Sequence, residues 1–360
     1  MVTRGTFDRP ALGEEYEPPG EQQHIDSLIH RLRAKMERDY AGGRVLRDAH
    51  PKMHGCVRGE FSIEPGLPED LRVGIFAAPR TYPAWIRFSN QNNTVAPDSK
   101  GDIRGAAIKL MGVPGPKLQA ESPDEATHDF ILISEDRFVT QDVAQFDGLV
   151  GALTGGPLRM VWFFLCHPRA ARNLRVSLKR CRQLLAIRYF SVVPYAWGSH
   201  AVKYCLTPHE AADTTAPDTS APDYLRAAMV ERLGRGRAVF DFAVQLQADP
   251  VAMPVEDPGV RWDETVSPFR KVATVTIPPQ QFDTPARREF GDNLSFNPWR
   301  CLVAHRPLGG ISRARRQVYQ ALSLFRHGRN HASQVEPAPN DKEWNASGDP
   351  SADPHKSPTS

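Results

Sequence analysis

Apolar residues recur along this chain with two different periods, which predict helices and strands in turn. The first stripe has the spacing of an amphipathic helix, ends before Gly42, and consists of Ile25, Leu28, Ile29, Leu32 and Met36. From about residue 57 to 135, short apolar or alternating runs lie between Gly, Pro, Asn and Asp, as strands do: EFSIE, WIRFSN, GAAIKLMG and DFILISE. Alternating side chains predict further strands around residues 240–246 and 271–277. At least six antiparallel strands with accompanying helices indicate an α+β fold built on a barrel or a sandwich.

The segment between these two groups of strands, roughly residues 139–235, is predicted to be mainly helical. It includes a basic amphipathic piece whose apolar stripe is Leu174, Leu178, Cys181 and Leu185. Seven Lys or Arg residues and no acidic residue lie between Arg169 and Arg188. A solvated helix face explains this charge more simply than a surface for an anionic membrane does.

Composition limits the class of protein. The chain has 360 residues, 40% of them hydrophobic, and a formal net charge of +3, which allows a large core and gives no reason to expect nucleic acid. Five cysteines without a C-x-x-C pair predict free thiols in a reducing, cytoplasmic setting. The longest apolar stretch, MVWFFLC, is too short for a transmembrane segment. We expect a mobile arm at residues 1–22, one domain at 23–329 and a disordered tail at 330–360.

The most informative helix is predicted after the turn PLGG. Its apolar stripe runs to Gly328 and consists of Ile311, Ala314, Val318, Leu322 and Phe325. Arg315, Tyr319 and Arg326 lie beside that stripe, within roughly 40° of one another at about 100° per residue. A neighbouring cation favours the phenolate form of a tyrosine, so Tyr319 is a candidate metal ligand. A half-buried tyrosine between two solvated arginines explains the same pattern without a metal.

The stretch LSFNPWRCLVAHRPLGGISRARRQVYQALSLFR resembles the proximal haem region of the catalase family, whose mark is R-x-x-x-Y with another Arg seven residues beyond the tyrosine. This resemblance implies that Tyr319, as tyrosinate, ligates the iron of a haem b. It also implies that Arg315 keeps the phenolate deprotonated and that Arg326 contacts a haem propionate.

The amino-terminal half resembles the same family. The run HGCVRGEFSIEPG is similar to the segment that starts with the distal catalytic histidine, which implies that role for His54. The run WIRFSNQNNTVAPDSKGDIRGAAIKLMG implies that Arg87 binds a propionate and that Ser89 hydrogen-bonds the imidazole of His54. A zinc site at His50 and His54 has little support, because Pro51 breaks any helix that would align them and no third ligand is nearby.

Two further runs complete the resemblance, which covers roughly residues 45–327 in family order. THDFILISEDRF implies that Phe138 stacks on the porphyrin, and PYAWGSHAVKYC resembles a Gly-Ser-His segment of the core. The implied fold is an antiparallel β-barrel haem core with surrounding helices. Because the sequence given ends about thirty residues after the haem helix, we expect it to lack the C-terminal helical domain of full-length catalases.

The sequence also departs from the family pattern. Ala126-Thr127-His128 stand where catalases carry an asparagine that orients bound peroxide. An arginine expected three residues before the distal histidine is Pro51 instead, so Arg47 or Lys52 would have to substitute for it. Such a chain looks like the catalase-related peroxidases and the coral allene oxide synthase domain.

The resemblance therefore implies a haem-dependent enzyme that decomposes hydrogen peroxide or an organic hydroperoxide, with weak catalase activity, peroxidase activity toward a small organic electron donor, or both. Two alternatives stay open. One is a fatty-acid hydroperoxide isomerase or lyase of the allene oxide synthase type, and the other is a haem-binding protein without catalytic activity. The sequence leaves the oligomeric state open, a homo-oligomer included.

Overall fold

A closed antiparallel β-barrel forms the centre of the structure, a computed structural model that describes residues 10–119, 125–210, 219–332 and 336–337. In chain order the strands are β1 (Met53–Ile63), β2 (Thr81–Asn90), β3 (Arg104–Met111), β4 (Thr127–Ile133), β5 (Tyr189–Phe190), β6 (Tyr195–Trp197), β7 (His200–Pro208), β8 (Ala238–Leu246) and β9 (Arg270–Ile277). The short β5 pairs with both β4 and β7, which closes the barrel, while β6 pairs with β7 outside the ring. Closure leaves the eight ring strands without an unpaired edge.

The helices of the described residues pack around this barrel. They are α1 (Glu21–Asp39), α2 (Val143–Gly155), α3 (Pro157–Cys166), α4 (Pro168–Ser177), α5 (Tyr224–Arg235), α6 (Pro285–Asn293) and α7 (Gly310–Asn330). Within the part of the chain that the structure covers, no helix combines the length and the apolar character needed to cross a bilayer.

Alternation of side chains separates the two faces of the barrel wall. Ile86 and Phe88 of β2 point into the main core, and Trp85 packs in a second cluster outside it. Arg87 and Ser89 share the parity of Trp85, which places them on the outer face. The interior is filled by an aromatic group in which Phe61 stacks on Phe130 with ring centroids 5.7 Å apart. Polar side chains that could take part in chemistry therefore lie on the outer face of β1–β4.

A glycine, Gly309, stands immediately before the first residue of α7. Gly309 has a φ of 84°, and a Cβ there would come within 2.6 Å of the Val255 carbonyl oxygen, so both conformation and space require glycine. At its other end, α7 is tied to the amino-terminal half, because the Asn330 side chain accepts from Val45 N–H and donates to Val45 O, both at 2.8 Å. These features fix the helix at its two ends.

The predicted α+β barrel is confirmed, and so are the predicted first helix, the helix after PLGG and the strands around residues 240–246 and 271–277. The prediction that residues 139–235 are mainly helical is wrong for residues 189–208, which form β5, β6 and β7. Most side chains of β7 are buried on both faces, so this strand lacks the alternation that identifies a half-exposed strand. The predicted basic helix ends at Ser177, and Leu178 is exposed.

The predicted arm and tail lie partly outside the described residues. Residues 10–20 of the arm contact the domain: Gly13 N–H donates to the Gln247 side chain at 2.7 Å, and Glu15 pairs with Arg313 at 3.1 Å. Of the tail beyond residue 332, the structure describes only residues 336–337. Glu336 there pairs with the buried Lys109 at 2.6 Å.

Acid should destabilise this fold through its buried histidines. Burial lowers the pKa of His305 to about 3 and that of His54 to about 4, and it also lowers the pKa of His128. Because these pKa values lie below those of the unfolded chain, protons bind the unfolded state preferentially, and stability falls as pH drops below about 6.5. We expect the free energy of unfolding in urea to fall by about 1 kcal/mol per histidine between about pH 7 and pH 5.5.

Equal stability at the two ends of the range would contradict the assignment of these histidines as neutral and buried.

Candidate functional site

His50 occupies a constrained position just before β1. Its backbone φ is 63°, in the left-handed region that few non-glycine residues adopt. Its Nδ1 lies 3.0 Å from Ser89 Oγ, and its carbonyl oxygen accepts from the Arg87 guanidinium at 3.0 Å. Gly105 on β3 faces the imidazole so closely that a Cβ there would come within 2.6 Å of Cε1. The ring is thus fixed through Nδ1, and no residue that the structure describes hydrogen-bonds its Nε2.

Three arginines from distant parts of the chain converge on the carboxyl end of α6; we call Arg47, Arg87 and Arg326 the arginine cluster. Arg47 donates to the Asp292 carbonyl oxygen at 3.2 Å, and Arg326 donates to the same oxygen at 2.8 Å. Arg87 donates to the Gly291 carbonyl oxygen at 3.3 Å. The last carbonyl groups of a helix carry partial negative charge, which suits cations. The Asp292 carboxylate, 3.9 Å from Arg87, adds one full negative charge.

In the arginine cluster Arg87 and Arg326 are buried and Arg47 is partly buried, and the cations repel one another. Burial first, and then the charge of Arg47, lowers the pKa of Arg87 to about 9, and the same two causes lower the pKa of Arg326 to about 9. Burial, followed by the charges of Arg87 and Arg47, lowers the pKa of His50 to about 3. The imidazole of His50 is therefore neutral at neutral pH.

Helix α7 brings Tyr319 and Arg315 to the same region. The Arg315 guanidinium lies over the Phe138 ring, 5.9 Å from its centroid, and it is close enough to His50 to act on the imidazole electrostatically. Tyr319, one turn further along, is partly buried and acts electrostatically on Arg47. The structure thus gathers the residues of α7 that the sequence singled out around the segment that carries His50.

The expected hydrogen bond between Ser89 and His54 is wrong, because Ser89 bonds to His50. His54 is buried elsewhere, with its Nε2 2.7 Å from Asn90 Oδ1 and its Nδ1 3.9 Å from Asp98. None of the groups that act on it electrostatically belongs to α7. The pairing of β1 with β2 shifts register at the start of β1, so neighbouring residues of this segment face different groups.

The sequence contains a signal that favours His50 over His54 as the distal histidine. Arg47 stands three residues before His50, which is the spacing that the resemblance assigns to an arginine ahead of the distal histidine. Counting from His54 leads instead to Pro51. Gly105 is a further site residue that the sequence did not reveal. Its lack of a side chain lets the His50 ring approach β3 closely, and a glycine carries no chemical signal of its own.

Residues 126–128 stand where the resemblance predicts an asparagine, and their polar side chains contact other parts of the protein. Thr127 Oγ1 donates to Glu125 at 3.1 Å and to Glu336 at 3.0 Å. The His128 ring packs on Phe130 with centroids 4.8 Å apart. Since Ala126 has no polar side-chain atom, this segment offers no amide to a ligand beside His50.

The residues present fit a haem, by three observations. The arginine cluster exceeds the carboxylate of Asp292 by two positive charges, and a haem carries two propionates. Arg315 Nη1 and Arg47 Nε are buried without a hydrogen-bond partner among the described residues, so donors are available. Tyr319 supplies a phenolic oxygen of the type that ligates haem iron in catalases.

Comparison with solved structures supports the same assignment of fold. A fungal catalase matches with a TM-score of 0.64 and 16% identity, over 96% of this chain and 73% of its own. A bacterial catalase matches with a TM-score of 0.62 and 16% identity, over 93% and 67%. Catalase A from Saccharomyces cerevisiae matches with a TM-score of 0.64 and 18% identity, over 96% and 75%.

No protein-family model and no curated protein matches this chain. Identities of 16–18% show a shared fold and leave the activity to be argued from the site. Three catalases from a fungus, a bacterium and a yeast agree over nearly the whole of the chain. The chain therefore has the catalase fold.

Proposed function

We propose that this chain is an oxidoreductase that binds a ferric haem b and decomposes peroxides. The observation that carries the proposal is the arginine cluster, a buried excess of positive charge placed beside His50 and next to Tyr319. A buried cation without a partner is costly, and a dianionic cofactor removes that cost. The catalase fold supports the proposal, because the structural neighbours are catalases.

Each residue of the site has a role toward the cofactor. Tyr319 is the proposed iron ligand, and Arg315, four residues before it on α7, is the proposed partner of its phenolic oxygen. The arginine cluster binds the propionates through charge-assisted hydrogen bonds. Phe138, already packed under Arg315, offers an aromatic face to the porphyrin.

His50 is the proposed acid–base group, in place of His54. As a neutral imidazole whose Nδ1 is bonded to Ser89, it can accept the proton of a peroxide at Nε2 and return it to the departing oxygen. When bound, a ferric haem supplies the two electrons that break the O–O bond. Ser89 and the Arg87 contact to the backbone keep the ring in place while the proton moves.

The choice between the possible reactions follows from the side chains around His50. Because Ala126, Thr127 and His128 bring no amide to the peroxide, a second molecule of hydrogen peroxide is poorly oriented. We therefore infer weak dismutation, with reduction by a small organic donor as the main activity. An organic hydroperoxide needs no second oriented peroxide, which keeps rearrangement of a fatty-acid hydroperoxide as the second candidate. The unpaired cysteines fit a reducing, cytoplasmic setting.

The first test replaces the proposed iron ligand. Tyr319→Phe removes one oxygen and keeps the ring, so the protein should fold normally and lose the ferric tyrosinate features of its absorption spectrum when hemin is added. Far-ultraviolet circular dichroism provides the folding control. An unchanged spectrum and haem content would reject Tyr319 as the ligand.

A pair of histidine variants tests the acid–base assignment. His50→Ala should retain haem and lose about a hundredfold to ten-thousandfold in the rate of peroxide cleavage, because one proton carrier is removed. His54→Ala is the matched control and should keep the rate per bound haem, although it should lower stability. The reverse order of rates, measured by stopped-flow, would return the role to His54.

A third variant tests the proposed propionate contacts. Arg326→Met preserves the length of the side chain and removes its charge, so the affinity for hemin should fall about tenfold or more, as for other hydrogen bonds between charged groups. Arg329→Met, on the exposed side of α7, serves as control. Equal hemin affinities of the two variants, by titration of the apo-protein, would show that the arginine cluster does not hold the propionates.

A further inference from the structure

Helix α3 carries an apolar stripe that faces away from the protein. The exposed fractions of Leu158, Val161, Trp162 and Leu165 are 85%, 59%, 69% and 70%. Their spacing of three and four residues puts all four on one side of the helix. Phe163, about half a turn away, is the residue of α3 that is buried. A stripe this apolar and this exposed is unusual, because single exposed apolar residues are the normal case.

The stretch of chain that carries the stripe and continues through α4 is basic. Seven Lys or Arg residues and no Asp or Glu lie between Pro157 and Arg182, a segment that comprises α3, α4 and the turn after them. Within the described residues, two of the seven form ion pairs, Arg169 with Asp257 and Lys179 with Glu135. The other five basic residues are exposed and make no ion pair with a described residue: Arg159, Arg172, Arg175, Arg180 and Arg182.

We propose that α3 and α4 form a docking surface for an anionic lipid bilayer. Leucine, valine and tryptophan side chains enter the boundary between head groups and acyl chains, and tryptophan in particular prefers that depth. Arginines beside them attract lipid phosphates, each with about 1 kcal/mol near an anionic membrane. At ten residues, α3 is about 15 Å long, so it lies along the bilayer surface.

A second copy of this chain fits the same surface less well. A two-fold contact through the stripe would bring the basic segments of the two copies toward each other, and like charges repel. The apolar stripe also changes the interpretation of the charge between Arg169 and Arg188. Exposure of a polar helix face to solvent explains the arginines. It does not explain why four apolar side chains of α3 are exposed as well.

Vesicle co-sedimentation tests this proposal with the full-length protein, in the presence and absence of added hemin. Vesicles in which a third of the lipid is phosphatidylglycerol should bind at least about tenfold more tightly than vesicles of phosphatidylcholine alone, and salt should weaken the binding. The double variant Leu158→Glu with Trp162→Glu should reduce this binding about tenfold or more. The variant Arg172→Glu with Arg175→Glu should reduce it on anionic vesicles only.

The control is Val251→Glu with Val266→Glu, which changes two exposed valines elsewhere and should bind vesicles like the unmodified chain. Hemin uptake should be the same for all variants, which separates this proposal from the proposed function. Binding that ignores the Leu158 and Trp162 changes, or that is equal on neutral lipid, would overturn it. So would a self-associated protein that dissociates when those two residues are changed.

Discussion

The burial of three guanidinium groups around a single carboxylate is the constraint on which the candidate site depends. Arg47, Arg87 and Arg326 repel one another in a region from which water is largely excluded, and two of them have a lowered pKa as a result of burial first and repulsion second. An uncompensated buried charge costs several kcal/mol, so such a cluster persists only where something offsets it. The carboxyl end of α6 offsets part of the charge, and a dianionic ligand offsets the remainder.

The barrel makes this gathering possible because it fixes residues that are far apart in the sequence. Strand β2 carries Arg87 and Ser89 on its outer face, and the segment before β1 lies against both of them. Helix α7 is anchored to that segment by the double hydrogen bond between Asn330 and Val45. Consequently the amino-terminal His50, which contacts Arg87, and the carboxyl-terminal Tyr319, which acts electrostatically on Arg47, are brought to the same group of arginines.

Much of this fold could be predicted from the period of apolar residues, which identified α1, α7 and most of the long strands. The period of apolar residues did not predict β7, because most residues of this strand are buried on both faces and so show no alternation. The α7 residues of the site were accessible because R-x-x-x-Y is a local pattern on one helix. The choice of histidine was harder, since His50 and His54 differ by four positions and only the spacing to Arg47 and the tertiary contact to Ser89 separate them. The roles of Gly105 and Asp292 depend on packing between remote elements, which no local pattern encodes.

Hemin binding is the most direct test of the proposed site. Purified wild-type chain titrated with hemin should bind one equivalent, develop a Soret band with ferric tyrosinate character, and unfold at a higher urea concentration than the apo-protein, because the ligand binds the folded state and offsets the buried charge. A chain that stays colourless with hemin, or gains no stability from it, would contradict the claim that the arginine cluster and Tyr319 form a haem site.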